Sequence, residues 1–349
     1  MEFLWESLLS ITWQQLVMYV VGGLLIWLAI EKGFEPALLL PMGFGAILVN
    51  LPTSGVINQV TAGVGETHGI IQWLFEVGIS ASEAMPILLF IGIGAMIDFG
   101  PLLANPKLFL CGAAAQAGIF LTILLAAALG FDMKDAASIG IIGAADGPTS
   151  ILVSQVLHSN YVGAIAVAAY SYMALVPIIQ PFAIKLVTTK KDRAMRMPYR
   201  AQGVSKRLRI LFPIIVSVIA GLVAPSSVAL VGFLMFGNLI RECGVLTTLS
   251  KTAQNELANL ITLLLGITIS FSMKADQFVK PETLLIMVLG LVAFVLDSVV
   301  GVLFVKVLNL FTPKNKIILW WVRRASPPSP CPPVSLKSWA RRPTPRIIC

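Results

Sequence analysis

The chain of 349 residues is 57% hydrophobic and only 12% charged, whereas soluble globular domains carry about 25% charged residues. This composition excludes a soluble domain and predicts a polytopic membrane protein. The net charge of +8 comes entirely from residues 313–349, which contain eight Lys or Arg and no acidic residue, so it does not indicate nucleic-acid binding. Four scattered cysteines and two isolated histidines lack the spacing of a disulfide framework or a metal site.

Apolar runs of about 20 residues predict membrane helices. In chain order the runs cover residues 14–31, 84–98, 108–130, 162–184, 210–240 (two helices), 257–273 and 283–311. Three other apolar segments are unusual. Segment 36–52 is interrupted by Pro and Gly, segment 69–82 is too short to span and favours an interfacial or re-entrant position, and segment 136–157 contains a charge among helix breakers.

A basic loop divides the chain and orients it. From Lys185 to Arg209 there are nine Lys or Arg residues and one acidic residue, and such loops lie on the cytoplasmic side of a membrane. We therefore predict four parts: an N-terminal membrane half (1–184), a cytoplasmic loop (185–209), a partial second membrane half (210–312) and a disordered, Pro- and Arg-rich tail (313–349).

The two halves show a weak internal similarity. Residues 88–107 (LLFIGIGAMIDFGPLLANPK) and 230–251 (LVGFLMFGNLIRECGVLTTLSK) each contain an apolar span, a small-residue kink and a polar turn. Inverted repeats of this kind are common in transporters. The predicted fold is an all-α polytopic bundle with inverted repeats and broken or re-entrant helices, in which the second repeat is truncated.

The stretch GAADGPTSI at residues 143–151 places Asp146 among Gly and Pro residues between two apolar flanks. A broken segment at membrane depth is tolerated only where protein or a cavity encloses it, and a charge there costs about 2.5 kcal/mol or more. Freed carbonyls, two half-helix ends and a carboxylate suit Na⁺ or H⁺, and Thr149 and Ser150 add hydroxyl groups. The alternative is a loop outside the membrane in which Asp146 caps the next helix, but the apolar flanks argue against it.

Three other polar positions lie in apolar surroundings. Tyr172, in AYSYM, is either a cation ligand and proton carrier or a buried aromatic with a satisfied hydroxyl, and the residues alone do not decide. Asp98 precedes Gly100 and Pro101 and is interpreted as a turn residue at the membrane interface. Asp297 lies inside the last apolar run, where it either faces the same cavity as Asp146 or pairs with Lys306.

Four stretches together resemble the beta subunit of the sodium-pumping biotin-dependent decarboxylases of oxaloacetate, methylmalonyl-CoA and glutaconyl-CoA. They are GFEPALLLPMGFGAILVN (33–50), GAMIDFGPLLANPKLFLCGAAAQAGIF (94–120), GAADGPTSI (143–151) and AVAAYSYMALVPIIQP (166–181). The resemblance covers about residues 30–317. It implies a subunit of the bacterial or archaeal cytoplasmic (inner) membrane that couples the decarboxylation of carboxybiotin to Na⁺ export.

The resemblance also implies partners and site residues. The partners are a carboxyltransferase alpha subunit, a biotin carrier protein that brings carboxybiotin, and a small membrane gamma subunit; homo-oligomerisation is compatible with the family. Asp146 and Tyr172 are the implied catalytic residues and Na⁺ ligands, and Gly147 and Thr149 are further implied Na⁺ ligands. The resemblance thereby favours the ligand interpretation of Tyr172.

The tail departs from this family, which continues with a stretch like NPMVGAAGISAFPMSARVVQKMG. Codons for residues 318–334, read one base out of register, permit Asn-Pro-Met-Val-Gly-Ala-Ala-Gly followed by Ile-Ser-Ala-Phe-Pro-Met-Ser-Ala-Arg. We therefore predict a one-base frameshift near Ile317. The family's remaining Na⁺ ligands, an Asn and a Ser, and its cytoplasmic-access Arg are replaced here by Ile318, Pro327 and Val334, so we expect this chain to be inactive.

A different class of function also fits a broken apolar segment with one carboxylate. A stand-alone secondary transporter would carry a small solute together with Na⁺ or H⁺ and would need no carboxybiotin partner. Neighbouring genes for a biotin carrier, a single-span gamma subunit and a carboxyltransferase would favour the pump.

Overall fold

The computed structural model describes residues 10–33, 36–52, 54–61, 65–81, 83–104, 110, 112–114, 116–144, 146–189 and 204–311. The predicted tail (313–349) and residues 190–203 of the predicted basic loop lie outside the described residues.

Helices form almost all of the first half of the described chain. They are α1 (Trp13–Glu31), α2 (Pro36–Val49), α3 (Ile70–Phe75) with a π-helical turn (Glu76–Ser80), α4 (Ala84–Met96), α5 (Gly100–Ala104), α6 (Ala117–Ala128), α7 (Met133–Gly140) with a 3-10 turn (Ile141–Ala144), α8 (Gly147–Val156) and α9 (Val162–Val187). A small antiparallel hairpin of β1 (Asn58–Thr61) and β2 (Gly65–His68) precedes α3.

The second half is helical throughout the part that the structure describes. Its elements are α10 (Lys206–Val223), a 3-10 turn (Pro225–Ser227), α11 (Val228–Cys243), α12 (Thr247–Thr252) with a π-helical turn (Ala253–Leu257), α13 (Ala258–Ile269) with a 3-10 turn (Ser270–Met273), α14 (Ala275–Phe278) and α15 (Pro281–Phe311).

The membrane prediction is confirmed by helices of sufficient length and apolarity. Within the described residues four helical stretches could each cross a membrane: Trp13–Glu31, Pro225–Cys243, Thr247–Met273 and Pro281–Asn309. A fifth candidate is the pair Ile70–Ser80 and Ala84–Met96, which is bent by 64°. This bend agrees with the expectation that segment 69–82 does not span on its own. The run 210–240 does form two helices, α10 and α11.

Two apolar cores hold the bundle together. One gathers buried side chains from α1, α2 and α13, among them Met18, Met42 and Leu265. The other joins α6, α7, α9 and α15 through side chains such as Ile139, Ile165 and Ile286. The second core contains Ile142, immediately before the GAADGPTSI stretch, and the first contains Ile151 at its end, so the two cores together fix its position.

Helices α4 and α11 cross at a locally symmetric contact. A Cβ atom on Gly94 would strike the Leu234 carbonyl oxygen and lie 3.1 Å from the backbone nitrogen of Asn238. A Cβ atom on Gly237 would strike the Ile91 carbonyl oxygen and lie 3.0 Å from the Ala95 nitrogen. The two helices come from the stretches that the sequence relates to each other, and their backbones touch at equivalent positions. The inverted repeat itself stays a prediction.

The crossing predicts that Gly237→Ala destabilises the protein. The new methyl group would collide with backbone rather than with a flexible side chain, and such overpacking costs on the order of 2 kcal/mol. Thermal unfolding in detergent should show a lower midpoint. Gly232→Ala is the matched control on the same helix, because no atom lies within 4 Å of its Cβ position. Equal midpoints for the two variants would contradict the close crossing.

Candidate cation site at a re-entrant hairpin

Residues 133–156 form a broken helix rather than a continuous one. Helix α7 ends at Gly140, a 3-10 turn runs from Ile141 to Ala144, and α8 begins at Gly147 with Pro148 in its first turn. Proline fits there because the first helical turn needs no internal N–H donor. Asp146 lies at the break, as the sequence predicts.

The two ends of this segment lie on the same side of the bundle. Asp135, in the first turn of α7, accepts hydrogen bonds from the Ser159 hydroxyl (2.7 Å) and the Asn160 backbone N–H (2.9 Å), just beyond the end of α8. The Asn160 side-chain amide donates a third bond to the other carboxylate oxygen (3.2 Å). Residues 133–156 are therefore a re-entrant hairpin with its break at the tip and Asp135 closing its mouth.

The mouth of the hairpin faces away from the basic loop. Helix α9 begins at Val162, immediately after the mouth, and its 26 residues end at Val187, where the basic loop begins. A helix of that length extends about 39 Å, which is more than the hydrocarbon core of a bilayer. If the basic loop is cytoplasmic, the hairpin enters and leaves on the outer side. A polar cavity of about 420 Å³, lined by Ser80, Gln155, His158, Ser159 and Val162, lies at this mouth.

Close contacts with α6 and α15 surround the tip of the hairpin. A Cβ atom on Gly143, in the 3-10 turn, would lie 3.1 Å from Ala293 Cβ of α15, and one on Gly140 would lie 3.0 Å from the Ile119 carbonyl oxygen of α6. The tip is thus enclosed by other helices, as a non-helical backbone at membrane depth requires.

The Asp146 side chain is held by its own loop. The Thr149 hydroxyl donates to the Asp146 carboxylate, and the Ser150 hydroxyl donates to its backbone carbonyl at 2.8 Å. Asp146 occupies the N-cap position of α8. Gly147 is the first residue of that helix and is buried. Carboxylate and hydroxyl oxygens therefore lie together at the tip.

Tyr172 lies on α9 beside the same wall. Its hydroxyl donates to the Met287 carbonyl of α15, and only 7% of the residue is exposed. A Cβ atom on Gly290 would lie 2.9 Å from both the Tyr172 ring and the Ile142 side chain. Tyr172 and the 3-10 turn of the hairpin therefore meet at one point of α15, although within the described residues no hydrogen bond joins Tyr172 to Asp146.

The remaining predicted acids, Asp98 and Asp297, lie outside the hairpin. Asp98 accepts a hydrogen bond from the Gly100 N–H at 2.9 Å just after α4, as expected of a turn residue. Asp297 is buried on α15, and in the described chain it forms no ion pair with Lys306, whose ammonium group donates to the Val187 carbonyl at 2.7 Å. The pairing alternative for Asp297 is therefore wrong.

Sequence reasoning missed the closure of the hairpin mouth by Asp135. In sequence, 24 residues separate it from Ser159, and nothing in the local pattern marks the two as partners. The only signal is an acid at the start of the broken segment and a short polar stretch, Ser159-Asn160, at its end.

The observed structure defines a class: a multi-pass membrane protein whose helical bundle encloses a re-entrant hairpin with one acidic tip. The family model of the Na⁺-transporting oxaloacetate decarboxylase beta subunit matches residues 14–318. This chain belongs to that family, as the resemblance in its sequence motifs indicates.

Three relatives illustrate the range of the family. The chain is 46% identical to the glutaconyl-CoA decarboxylase subunit beta of Acidaminococcus fermentans, over 87% of this chain and 78% of that protein. It is 46% identical to the methylmalonyl-CoA decarboxylase subunit beta of Propionigenium modestum, over 84% and 78%. It is 42% identical to the oxaloacetate decarboxylase beta chain 2 of Salmonella typhi, over 87% and 82%.

The closed mouth predicts that Asp135→Ala destabilises the protein. The substitution removes an acceptor of three hydrogen bonds at a residue that is only 4% exposed, and hydrogen bonds to a charged group contribute about 1.5–3 kcal/mol each. The midpoint of thermal unfolding in detergent should fall. Asp132→Ala, an exposed acid at the start of the same helix, should leave it unchanged. A similar loss for both variants would show that the mouth is not held by Asp135.

Proposed function

We propose that this chain is the membrane subunit of a Na⁺-translocating decarboxylase and that its hairpin tip binds the transported Na⁺. One observation carries this assignment. The described bundle encloses a broken backbone, and the carboxylate at the break is held by a neighbouring hydroxyl rather than by a basic side chain. A carboxylate placed in this way suits a monovalent cation.

Each residue at the tip would contribute a different chemical group to Na⁺ binding. Asp146 supplies the negative charge, and Thr149 supplies a hydroxyl oxygen already in contact with that carboxylate. Gly147 brings the backbone at the start of α8 close to the break. Tyr172 lies against the same wall and donates its hydroxyl proton to a backbone carbonyl, which leaves the lone pairs of its oxygen available to a cation.

Export of Na⁺ needs a source of free energy, and in this proposal partner subunits supply it. A carboxyltransferase alpha subunit, a biotin carrier protein and a small gamma subunit would complete the complex in the cytoplasmic membrane. Carboxybiotin on the carrier supplies the reaction: its N–CO₂⁻ bond breaks, CO₂ leaves, and the biotin nitrogen takes up one proton. Since the hairpin mouth faces away from the basic loop, Na⁺ released through it would leave on the outer side.

The frameshift remains part of this proposal. The family match ends at residue 318, which is the position where the out-of-register reading recovers the family's sequence. The restored stretch would contain GAAGIS, a second broken segment to face GAADGP. Without it the Na⁺ site has only one half, so the chain as it stands should not transport Na⁺.

The Na⁺ assignment predicts that Asp146→Asn abolishes pumping in the chain with the reading frame restored. The variant keeps the shape of the side chain but loses its charge, and loss of such a ligand should lower Na⁺-dependent decarboxylation by about 100-fold or more. Tyr172→Phe should lower it by a similar order. The assay is decarboxylation by the reconstituted complex at increasing Na⁺ concentration.

A matched control is Asp132→Asn, which removes an exposed acid at the hairpin mouth and should leave activity unchanged. Full activity of Asp146→Asn would reject the tip as the Na⁺ site. Activity that is independent of carboxybiotin but linked to uptake of a solute would instead favour a secondary transporter.

The frameshift has a direct test in the gene. Resequencing should reveal a one-base insertion or deletion near codon 318. Mass spectrometry of the protein made in its own cells then shows which C-terminal sequence is translated. An intact reading frame, together with peptides of the printed tail, would refute the frameshift.

A further inference from the structure

Asp297 is a buried acid that the proposed Na⁺ site does not use. Only 6% of the residue is exposed, and its Oδ1 atom has no hydrogen-bond partner among the described residues. Helix α6 packs directly on this position, because a Cβ atom on Gly118 would lie 2.8 Å from Asp297 Cβ. The carboxyl group is therefore enclosed between two apolar helices.

Asp297 lies just beyond the hairpin tip, on the same face of α15. Gly290 contacts Tyr172, Ala293 contacts Gly143 of the hairpin, and Asp297 follows Ala293 after four residues. Four residues advance a helix by about 6 Å and return to nearly the same face. Further along, Lys306 of α15 reaches Val187 at the end of α9. Asp297 is therefore in the half of the bundle between the tip and the basic loop.

No positive charge faces this carboxyl group in the described elements that pack on α15. The exposed charged residues of these elements are Lys134, Lys185, Asp276 and Glu282. Asp135 is at the hairpin mouth, and both Lys306 and Tyr172 donate to backbone carbonyls away from Asp297. An ionised Asp297 would thus be buried without a counter-charge, which is unfavourable by several kcal/mol.

Two cations could neutralise the carboxylate, and the surroundings favour the smaller. A hard metal cation is usually held by several oxygen ligands. The Thr122 hydroxyl of α6 donates to the Gly118 carbonyl at 2.9 Å, and α6 packs against the backbone and Cβ atom of Asp297. A proton needs only one carboxylate oxygen and no additional space.

We propose that Asp297 holds an exchangeable proton in the half of the bundle between the hairpin tip and the basic loop. Each turn of the reaction consumes one proton, so a protonated carboxyl group next to the tip gives the pump a place to store one. This role in the reaction cycle rests on the proposed function. The protonation state of Asp297 itself does not, and it can be measured in the full chain even if that chain does not pump.

The test is an infrared titration of the purified full chain in lipid. A buried protonated carboxyl group has its own C=O stretching band, which shifts in D₂O if the proton exchanges. We expect this band at neutral pH in the unsubstituted chain, its loss in Asp297→Asn, and no change in Asp276→Asn, which removes an exposed acid. Titration in NaCl and in choline chloride should give the same curve, because the site takes a proton and not Na⁺.

Three outcomes would overturn the proposal. Identical spectra for the unsubstituted chain and Asp297→Asn at neutral pH would show that Asp297 is ionised. Loss of the band in NaCl alone would show that the site binds Na⁺. If Asp297→Asn does not fold, a chemical modification of the unsubstituted chain tests the same proton. Dicyclohexylcarbodiimide is an apolar reagent that reacts with protonated carboxyl groups, and it should modify Asp297 less as the pH rises. A band that persists with no pH-dependent adduct at Asp297 would assign the proton to another acid.

Discussion

The constraint on which the structure depends is that a backbone at membrane depth must satisfy its N–H and C=O groups without water. Continuous helices do this internally, but the hairpin tip cannot, because α7 gives way to a 3-10 turn at Ile141 and α8 begins only at Gly147. The bundle solves the problem by enclosing the hairpin tip between α6, α9 and α15. The same enclosure leaves Asp146 only partly exposed, and in the proposed function a cation neutralises its carboxylate.

Small residues make this enclosure possible. Without hydrophobic attraction between helices in lipid, membrane helices rely on close van der Waals contact, which small residues allow. Gly118 and Gly143 bring α6 and the hairpin close to the backbone of α15, and Gly290 of α15 leaves room for the side chains of Ile142 and Tyr172. As a result, the two acids and Tyr172 lie along one stretch of α15 instead of being scattered through the membrane. The chemistry of the proposed pump therefore depends on packing as much as on the charged residues.

The two sides of the hairpin differ in a way that suits directional transport. Its mouth opens beside a polar cavity on the side opposite the basic loop, while its tip points toward the half of the bundle that contains Asp297. A cation bound at the proposed site would be separated from one side by the hairpin arms and from the other by the packed contact of α6 with α15. In the proposed function, release of CO₂ would have to alter one of these barriers to move Na⁺ outward.

The sequence by itself determined the membrane class, most of the spans, the break at Asp146 and the family, because apolar length and long specific motifs are local properties of the chain. It left the partner of Asp297 open, and it gave no sign that Asp135 closes the hairpin mouth. These depend on contacts between residues distant in sequence, such as Asp135 with Ser159 and Gly118 with Asp297. Only the tertiary structure decided that the broken segment returns to the side from which it came, since that requires knowing where both of its ends lie.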